Sequence, residues 1–293
     1  MSVERPPVER PERGRAASRL KRWLNGGILL AASATGVIAF LSPFFSPPDR
    51  EAQMSPFAHA QDAPFVLGIL VIICLGAVVA NLTLGAMNSK HVALLGVLAA
   101  VSAVLRAVPG PQGFSAIFFI PILAGYVYGP SFGFLLGALA LLTSALLGGG
   151  VGPWLPYQMF ATGWMGLLSG MLPSRHLARL GRLEVLMLAT WAFLLGLTFG
   201  AIMNLWFWPF VFQPGSSHLY WEPGISASET LRRYAAFYLV TSLGWDLWRA
   251  IGNALLVLLF GGPILRLFRR FKRRFQFEIV PVIAHVGSFA AMK

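Results

Sequence analysis

Apolar runs of bilayer length, separated by short polar or Pro/Gly breaks, fill the chain from residue 24 to residue 260. A helix needs about 20 apolar residues to cross a hydrocarbon core, and fewer where it is short or re-entrant. On that measure the pattern predicts eight spans: Leu24–Leu41, Phe65–Leu82, Val92–Val108, Phe114–Tyr128, Phe132–Leu147, Pro156–Leu172, Glu184–Trp208 and Leu231–Phe260. Pro121 lies within the fourth and predicts a bend there. The eighth is long enough to tilt or protrude. Between the fifth and sixth, Gly-Gly-Gly-Val-Gly-Pro-Trp-Leu-Pro-Tyr-Gln (Gly148 to Gln158) breaks the helix outright. The first run follows a basic leader, as in a signal peptide, and Ala58-His59-Ala60 has the form of a cleavage site. That site lies too far beyond the run for ordinary processing, so a retained helix is expected.

Composition agrees with the pattern. Of 293 residues, 56% are hydrophobic and 12% charged, with a mean hydropathy of +0.68, whereas globular chains carry about a quarter charged residues. The net charge of +12 raises nucleic acid as a partner, and its placement argues against one. With a cytoplasmic N-terminus and eight spans, 17 of the 23 basic residues fall on the cytoplasmic side, in the leader, beside Lys90, in the loop Pro173–Arg182 and in Arg266–Arg274. The outer loops keep Arg50, Arg232 and Arg233 beside five acidic residues. This is the positive-inside bias, which a nucleic-acid face does not require. The expected location is therefore a cell membrane, multi-pass, with both termini cytoplasmic. Cys74, the single cysteine, sits in an apolar run; it permits no intrachain disulfide and reads as a small hydrophobe.

The organisation expected is a basic N-terminus with a two-helix module (1–88), a six-helix membrane domain (89–274) and a tail (275–293). Five stretches carry a family resemblance: Val-Ala-Leu-Leu-Gly-Val-Leu-Ala-Ala-Val-Ser-Ala-Val-Leu-Arg (Val92 to Arg106), Gly-Tyr-Val-Tyr-Gly-Pro-Ser-Phe-Gly-Phe (Gly125 to Phe134), Gly-Val-Gly-Pro-Trp-Leu-Pro-Tyr-Gln-Met (Gly150 to Met159), Met-Asn-Leu-Trp-Phe-Trp-Pro (Met203 to Pro209) and Gly-Trp-Asp-Leu-Trp-Arg-Ala-Ile-Gly-Asn (Gly244 to Asn253). From about Lys90 to Arg274 the chain resembles the S component, the substrate-specific subunit, of an energy-coupling factor (ECF) transporter. The resemblance implies an all-α membrane protein, a six-helix S-component bundle preceded here by two additional transmembrane helices, as in actinobacterial members. It also implies capture of a vitamin or precursor outside, a transmembrane coupling subunit and two ATPase subunits as partners, and ATP hydrolysis by those partners with no cofactor in this chain. The Gly-Pro-Trp-x-Pro-x-Gln pattern is similar to that of members linked to cobalamin or its precursors.

Candidate residues fall into three groups. Gly148 to Gln158 cannot stay helical, and unsatisfied amides in lipid cost several kcal/mol each, so it must lie at an interface, as a lid would. Within it Trp154 and Tyr157 offer flat faces with polar edges, and Gln158 offers a donor and an acceptor; an interfacial aromatic belt around a plain turn is the bland reading. On the eighth span Tyr238, Ser242, Asp246, Arg249 and Asn253 form one polar stripe with Trp245 and Trp248 beside it. Asp246 and Arg249 are expected to pair and face inward, either as a structural pin or as a contact with the cargo. Asn204, Trp206 and Trp208 close the seventh span on the outer side, with Tyr220, Trp221 and Glu222 in the loop beyond and Arg106 and Phe114 on the facing segments. Together they could ring a pocket, while an interfacial aromatic belt explains any single tryptophan equally. Small residues on the third span, Gly96, Ala99, Ala100 and Ala103, permit close approach of another backbone; the resemblance assigns such an Ala-x-x-x-Ala face to docking of the coupling subunit, while ordinary packing within the bundle explains it equally.

Catalytic constellations are missing from the sequence. His91, His176 and His285 fall outside the outer pocket, and His59 and His218 stand alone in loops. No metal-ligand spacing is present, and the glycine run lacks the Lys-Ser/Thr of a phosphate-binding loop. An enzyme acting on lipids would need acid, base or metal residues near the interface. A stand-alone secondary transporter of a small molecule would need an ion-coupling site that only Asp246 and Arg249 could supply.

Overall fold

The computed structural model describes residues 12–46, 58–83, 87–108, 110, 113–211 and 217–275, without the side chains of 12–22, Arg175, Arg179, Ser217 and Phe275. The basic leader's side chains, Asp49 to Glu51 and the tail with His285 therefore lie outside the described residues. Among the described residues nine helices of ten residues or more carry the fold: α1 Glu12–Phe45, α2 Ala63–Thr83, α3 Ser89–Leu105, α4 Phe119–Tyr128, α5 Pro130–Ser144, α6 Leu155–Met171, α7 Arg182–Phe207, α8 Ala227–Phe237 and α9 Leu243–Phe275. No strand occurs among the described residues. Five helical segments are long and apolar enough to cross a membrane: Trp23–Phe45, Ala63–Thr83, Pro130–Gly149, Arg182–Phe210 and Ala227–Arg274. The exterior suits lipid. Along α2, Phe65, Ile72 and Val79 point outward while Leu70, Cys74, Ala77 and Asn81 face in, a stripe at helical spacing with apolar side chains on both sides.

Each predicted span has its helix, with two differences of shape. Pro121 falls in the first turn of α4, where amide hydrogens need no helical acceptor. The change of path lies one step earlier, at the 3-10 turn Ala116–Phe118. The last span does not end near Phe260. Helix runs from Ala227 to Arg274 over 48 residues, passing through a π turn at Tyr238–Ser242 and over Pro263. At ~1.5 Å per residue that is about 72 Å, well beyond a bilayer of about 40–45 Å with headgroups.

The basic end of α9 is tied to the bundle rather than left as a bare charge run. Arg269 pairs with Glu184 at the start of α7, with Nη1 donating to Oε2 at 3.0 Å. Glu184 is buried and also accepts from the Tyr126 hydroxyl of α4. Lys272 donates to the Val127 carbonyl, and Tyr128 donates to the Phe268 carbonyl at 2.9 Å. Sequence reading counted Arg269 and Lys272 only as topology signals. They also clamp α4, α7 and α9 at the end opposite the Gly148–Gln158 break.

The N-terminal helices are packed against the rest. Gly36 of α1 lets the rings of Phe160 and Trp164 on α6 approach so closely that an added methyl would fall 2.7 Å from Trp164. Trp164 Nε1 donates to Ser33 Oγ at 3.2 Å, and Phe40 meets Tyr157 edge-on at 5.0 Å between centroids.

Candidate functional site

Glycine explains the break before α6. The break is shorter than the expected Gly148 to Gln158, because Leu155 to Gln158 already form the first turn of that helix, Pro156 included. After a π turn over Ala145–Gly149, Gly148 and Gly150 take φ of 108° and 87°, values that side chains strongly disfavour. Trp154 folds its ring back over Gly152, where an added methyl would meet it at 2.4 Å. Leu146, Leu147 and Val151 point outward, so the segment presents an apolar rim. Arg106 braces this turn from beneath, with Nη1 donating to Ser144 Oγ at 3.3 Å.

One turn further on, Tyr157 is fully buried and its hydroxyl is already engaged. It donates to Asp62 Oδ2 at 2.7 Å and lies 2.8 Å from His59 Nδ1. His59 Nδ1 and Asp62 Oδ2 are themselves 2.7 Å apart. The expectation that His59 stands alone in a loop is therefore wrong. Its ring is 3% exposed and packs against Tyr157, Phe210 and Trp206 at 4.5, 4.6 and 6.2 Å between centroids. Burial acts to raise the Asp62 carboxyl, but the His59 and Tyr157 hydrogen bonds outweigh it and hold the group below its ordinary value. Sequence carried one hint: a histidine three residues before an aspartate, both close to a helix start.

A second polar group lies where α7, α9 and the turn before α4 meet. Asp246 is buried against α7, so near that a methyl on Gly200 would fall 1.7 Å from its Oδ2. Its Oδ1 accepts from Arg249 Nη1. The Arg249 guanidinium lies 5.0 Å over the Phe199 ring, which packs on Phe118 at 4.6 Å. Asn204 accepts from Ser242 Oγ at 3.1 Å. Phe114 wedges against Gly252, beside Asn253. Tyr238 lies beside the Asp246 carboxylate. Among the described residues, six buried polar atoms here and on α6 have no partner: Ser115 Oγ, Gln158 Oε1, Thr162 Oγ1, Asn204 Nδ2, Asp246 Oδ2 and Asn253 Oδ1. Buried polar atoms left unpaired are rare and costly.

The remaining outer residues sort differently. Trp208 and Trp221 line an open apolar groove of about 520 Å³ with Phe44, Leu205, Thr230 and Tyr234. Trp208 is buried there, its Nε1 donating to the Leu219 carbonyl at 2.9 Å. Trp245 does not join the polar group, because its position on α9 turns its ring outward to 49% exposure, as for Trp248.

A family model described as ECF transporter, substrate-specific component, matches residues 90–261. The chain belongs to that family. No curated protein and no solved structure matches it. The match begins at α3, so a substrate-specific component here carries α1 and α2 ahead of the family region. Helix α1 delivers Phe40 and Phe44, and the segment just before α2 delivers His59, to the end of the bundle where α6 begins. In this substrate-specific component the small residues of α3 do not form one exposed face. Ala99 and Ala103 are buried, turned into the bundle, while Gly96 and Ala100 lie on the exposed side. At 100° per residue the four share one stripe about 100° wide, with the Ala99–Ala103 edge against the bundle and the Gly96–Ala100 edge outside it. Among the described residues no group of His, Cys, Asp and Glu is arranged to hold a metal ion.

Proposed function

We propose that this substrate-specific component captures a vitamin or related micronutrient from outside, beneath the Gly148–Gln158 segment, and passes it to a coupling subunit driven by two ATPase subunits. The observation that carries the reading is the set of unpaired buried polar atoms on α6, α7, α9 and the turn before α4. An apolar bundle gains nothing from holding them empty, and a bound polar molecule supplies their partners. Phe114, Phe118 and Phe199 around them offer the apolar walls of such a site. The cargo class is a small polar molecule; the Gly-Pro-Trp-x-Pro-x-Gln pattern favours the cobalamin group among the family's cargoes. The N-terminus lies in the cytoplasm on this reading, as the positive-inside bias requires.

Native mass spectrometry of the purified protein tests this by identifying a small molecule that it retains. Gln158→Leu removes an unpaired acceptor and is expected to leave thermal stability unchanged or raised, while occupancy by that molecule falls about tenfold. Equal occupancy would move Gln158 out of the site. For docking, the exposed side of α3 is the approach that remains. Gly96→Trp is expected to abolish co-purification with the coupling subunit while cargo occupancy stays as in the wild type, because no atom lies within 4 Å of a Cβ at Gly96. Normal assembly would place docking elsewhere.

A further inference from the structure

The segment that joins the two N-terminal helices, which the family match does not include, places a buried histidine with one nitrogen unaccounted for. His59 is the non-glycine residue with positive φ, 59°, among the described residues, a left-handed conformation that side chains disfavour. Strain of that kind persists where surrounding contacts over-determine it. Here they do: Tyr157, Trp206 and Phe210 enclose the ring, and Asp62 and Tyr157 fix Nδ1. Because Asp62 is a carboxylate and can only accept, Nδ1 carries a hydrogen, and in the imidazole form of the ring Nε2 then carries the lone pair. Nε2 is buried without a partner among the described residues. The neighbouring Trp206 ring lies within 21° of parallel, and its Nε1, which can only donate, is also buried without a partner among them.

An unpaired acceptor and an unpaired donor on adjacent rings specify a group that both donates and accepts. We propose that the N-terminal module completes the capture site, with His59 Nε2 and Trp206 Nε1 together binding a hydroxyl group of the cargo. This rests on the capture reading above and adds to it a residue and a chemical class. Asp62 and Tyr157 are positioning residues. They set the tautomer and hold the ring, much as a buried carboxylate orients a histidine elsewhere. A carboxylate on the cargo would not suit the pair, since the lone pair of Nε2 would face it.

The test uses the full-length protein in lipid nanodiscs and native mass spectrometry. The protein is incubated with an equimolar mixture of pyridoxine, riboflavin, thiamine and cobalamin, which bear hydroxyls, and biotin and nicotinate, which bear a carboxylate and no hydroxyl; molecules retained from the expression host are read in the same spectra. The wild type is expected to retain a hydroxyl-bearing compound. His59→Phe and Trp206→Phe, which keep the ring packing, are expected each to lower its occupancy about tenfold, whereas His59→Gln, which keeps an acceptor, recovers most of it. Asp62→Asn is expected to weaken retention less than His59→Phe does. Wild-type occupancy in both phenylalanine variants, with or without a fall in thermal stability, would leave His59 a packing residue and overturn the proposal while sparing the capture reading. Retention of biotin or nicotinate alone would overturn the hydroxyl assignment. A wild type that retains nothing from either source would overturn the capture reading and this inference with it.

Discussion

Replacing Asp246 with alanine is expected to destabilise the protein by about 3–5 kcal/mol, the usual cost of stranding one partner of a buried ion pair. Asp246 is 3% exposed, and the Arg249 side chain that would be left behind is 15% exposed. That guanidinium would keep its contact with the Phe199 ring and lose its only anion among the described residues. In a lipid-embedded helix it has no water to replace the carboxylate. The double substitution Asp246→Leu, Arg249→Met is expected to recover most of the loss, because an apolar pair of similar volume removes both desolvation costs together. Reversible unfolding in detergent measures both. A single variant as stable as the wild type would show that Arg249 is satisfied by something other than Asp246. The double variant also separates the two roles left open for the pair. If it folds and still retains the cargo, the pair is a structural pin; if it folds and retains none, the pair touches the cargo.

How far the sequence carried the fold depends on where the deciding partner lies. Spans were legible because a bilayer imposes both length and composition on every segment that crosses it, and α2 through α7 follow the predicted bounds closely. The end of α9 was not. Pro263 and the arginines after it read as a boundary, yet the helix continues because Arg269 and Lys272 find Glu184 and the Val127 carbonyl far away in sequence. His59 was misread for the same reason: Tyr157, which buries it, is 98 residues distant. For the candidate site, the polar stripe on α9 was legible in Asp246, Arg249 and Asn253, whose spacing alone puts them on one face. The outward turn of Trp245 was not, since residues on the edge of that face are decided by what packs beside them. On α3 the single face was legible, since residues 96, 99, 100 and 103 share one stripe, but spacing alone could not say that the bundle covers Ala99 and Ala103 and leaves Gly96 and Ala100 exposed.

A close approach of backbones lies between α4, α5 and α6, with Gly166 at its centre. A methyl added at Gly166 would fall 2.2 Å from the Gly133 carbonyl oxygen, and one added at Gly133 would fall 2.2 Å from the Gly166 carbonyl oxygen. A methyl added at Gly125 of α4 would fall 2.1 Å from the same Gly166 oxygen. All three obstacles are backbone atoms within helices, so no side-chain rotation can relieve them. Three helices would have to separate together. Helix propensity favours alanine over glycine by about 1 kcal/mol, which is too little to offset overpacking at such distances. Gly166→Val is therefore expected to cost at least about 3 kcal/mol and to leave little folded protein in mild detergent. Gly96→Val is the matched control. With no atom within 4 Å of its Cβ, it is expected to change stability by less than about 0.5 kcal/mol. Fluorescence-detected size-exclusion chromatography after a heating series compares the two. A monodisperse Gly166→Val protein melting with the wild type would mean that α5 and α6 are held further apart than this glycine seam requires, and the site built on the start of α6 would have to shift with them.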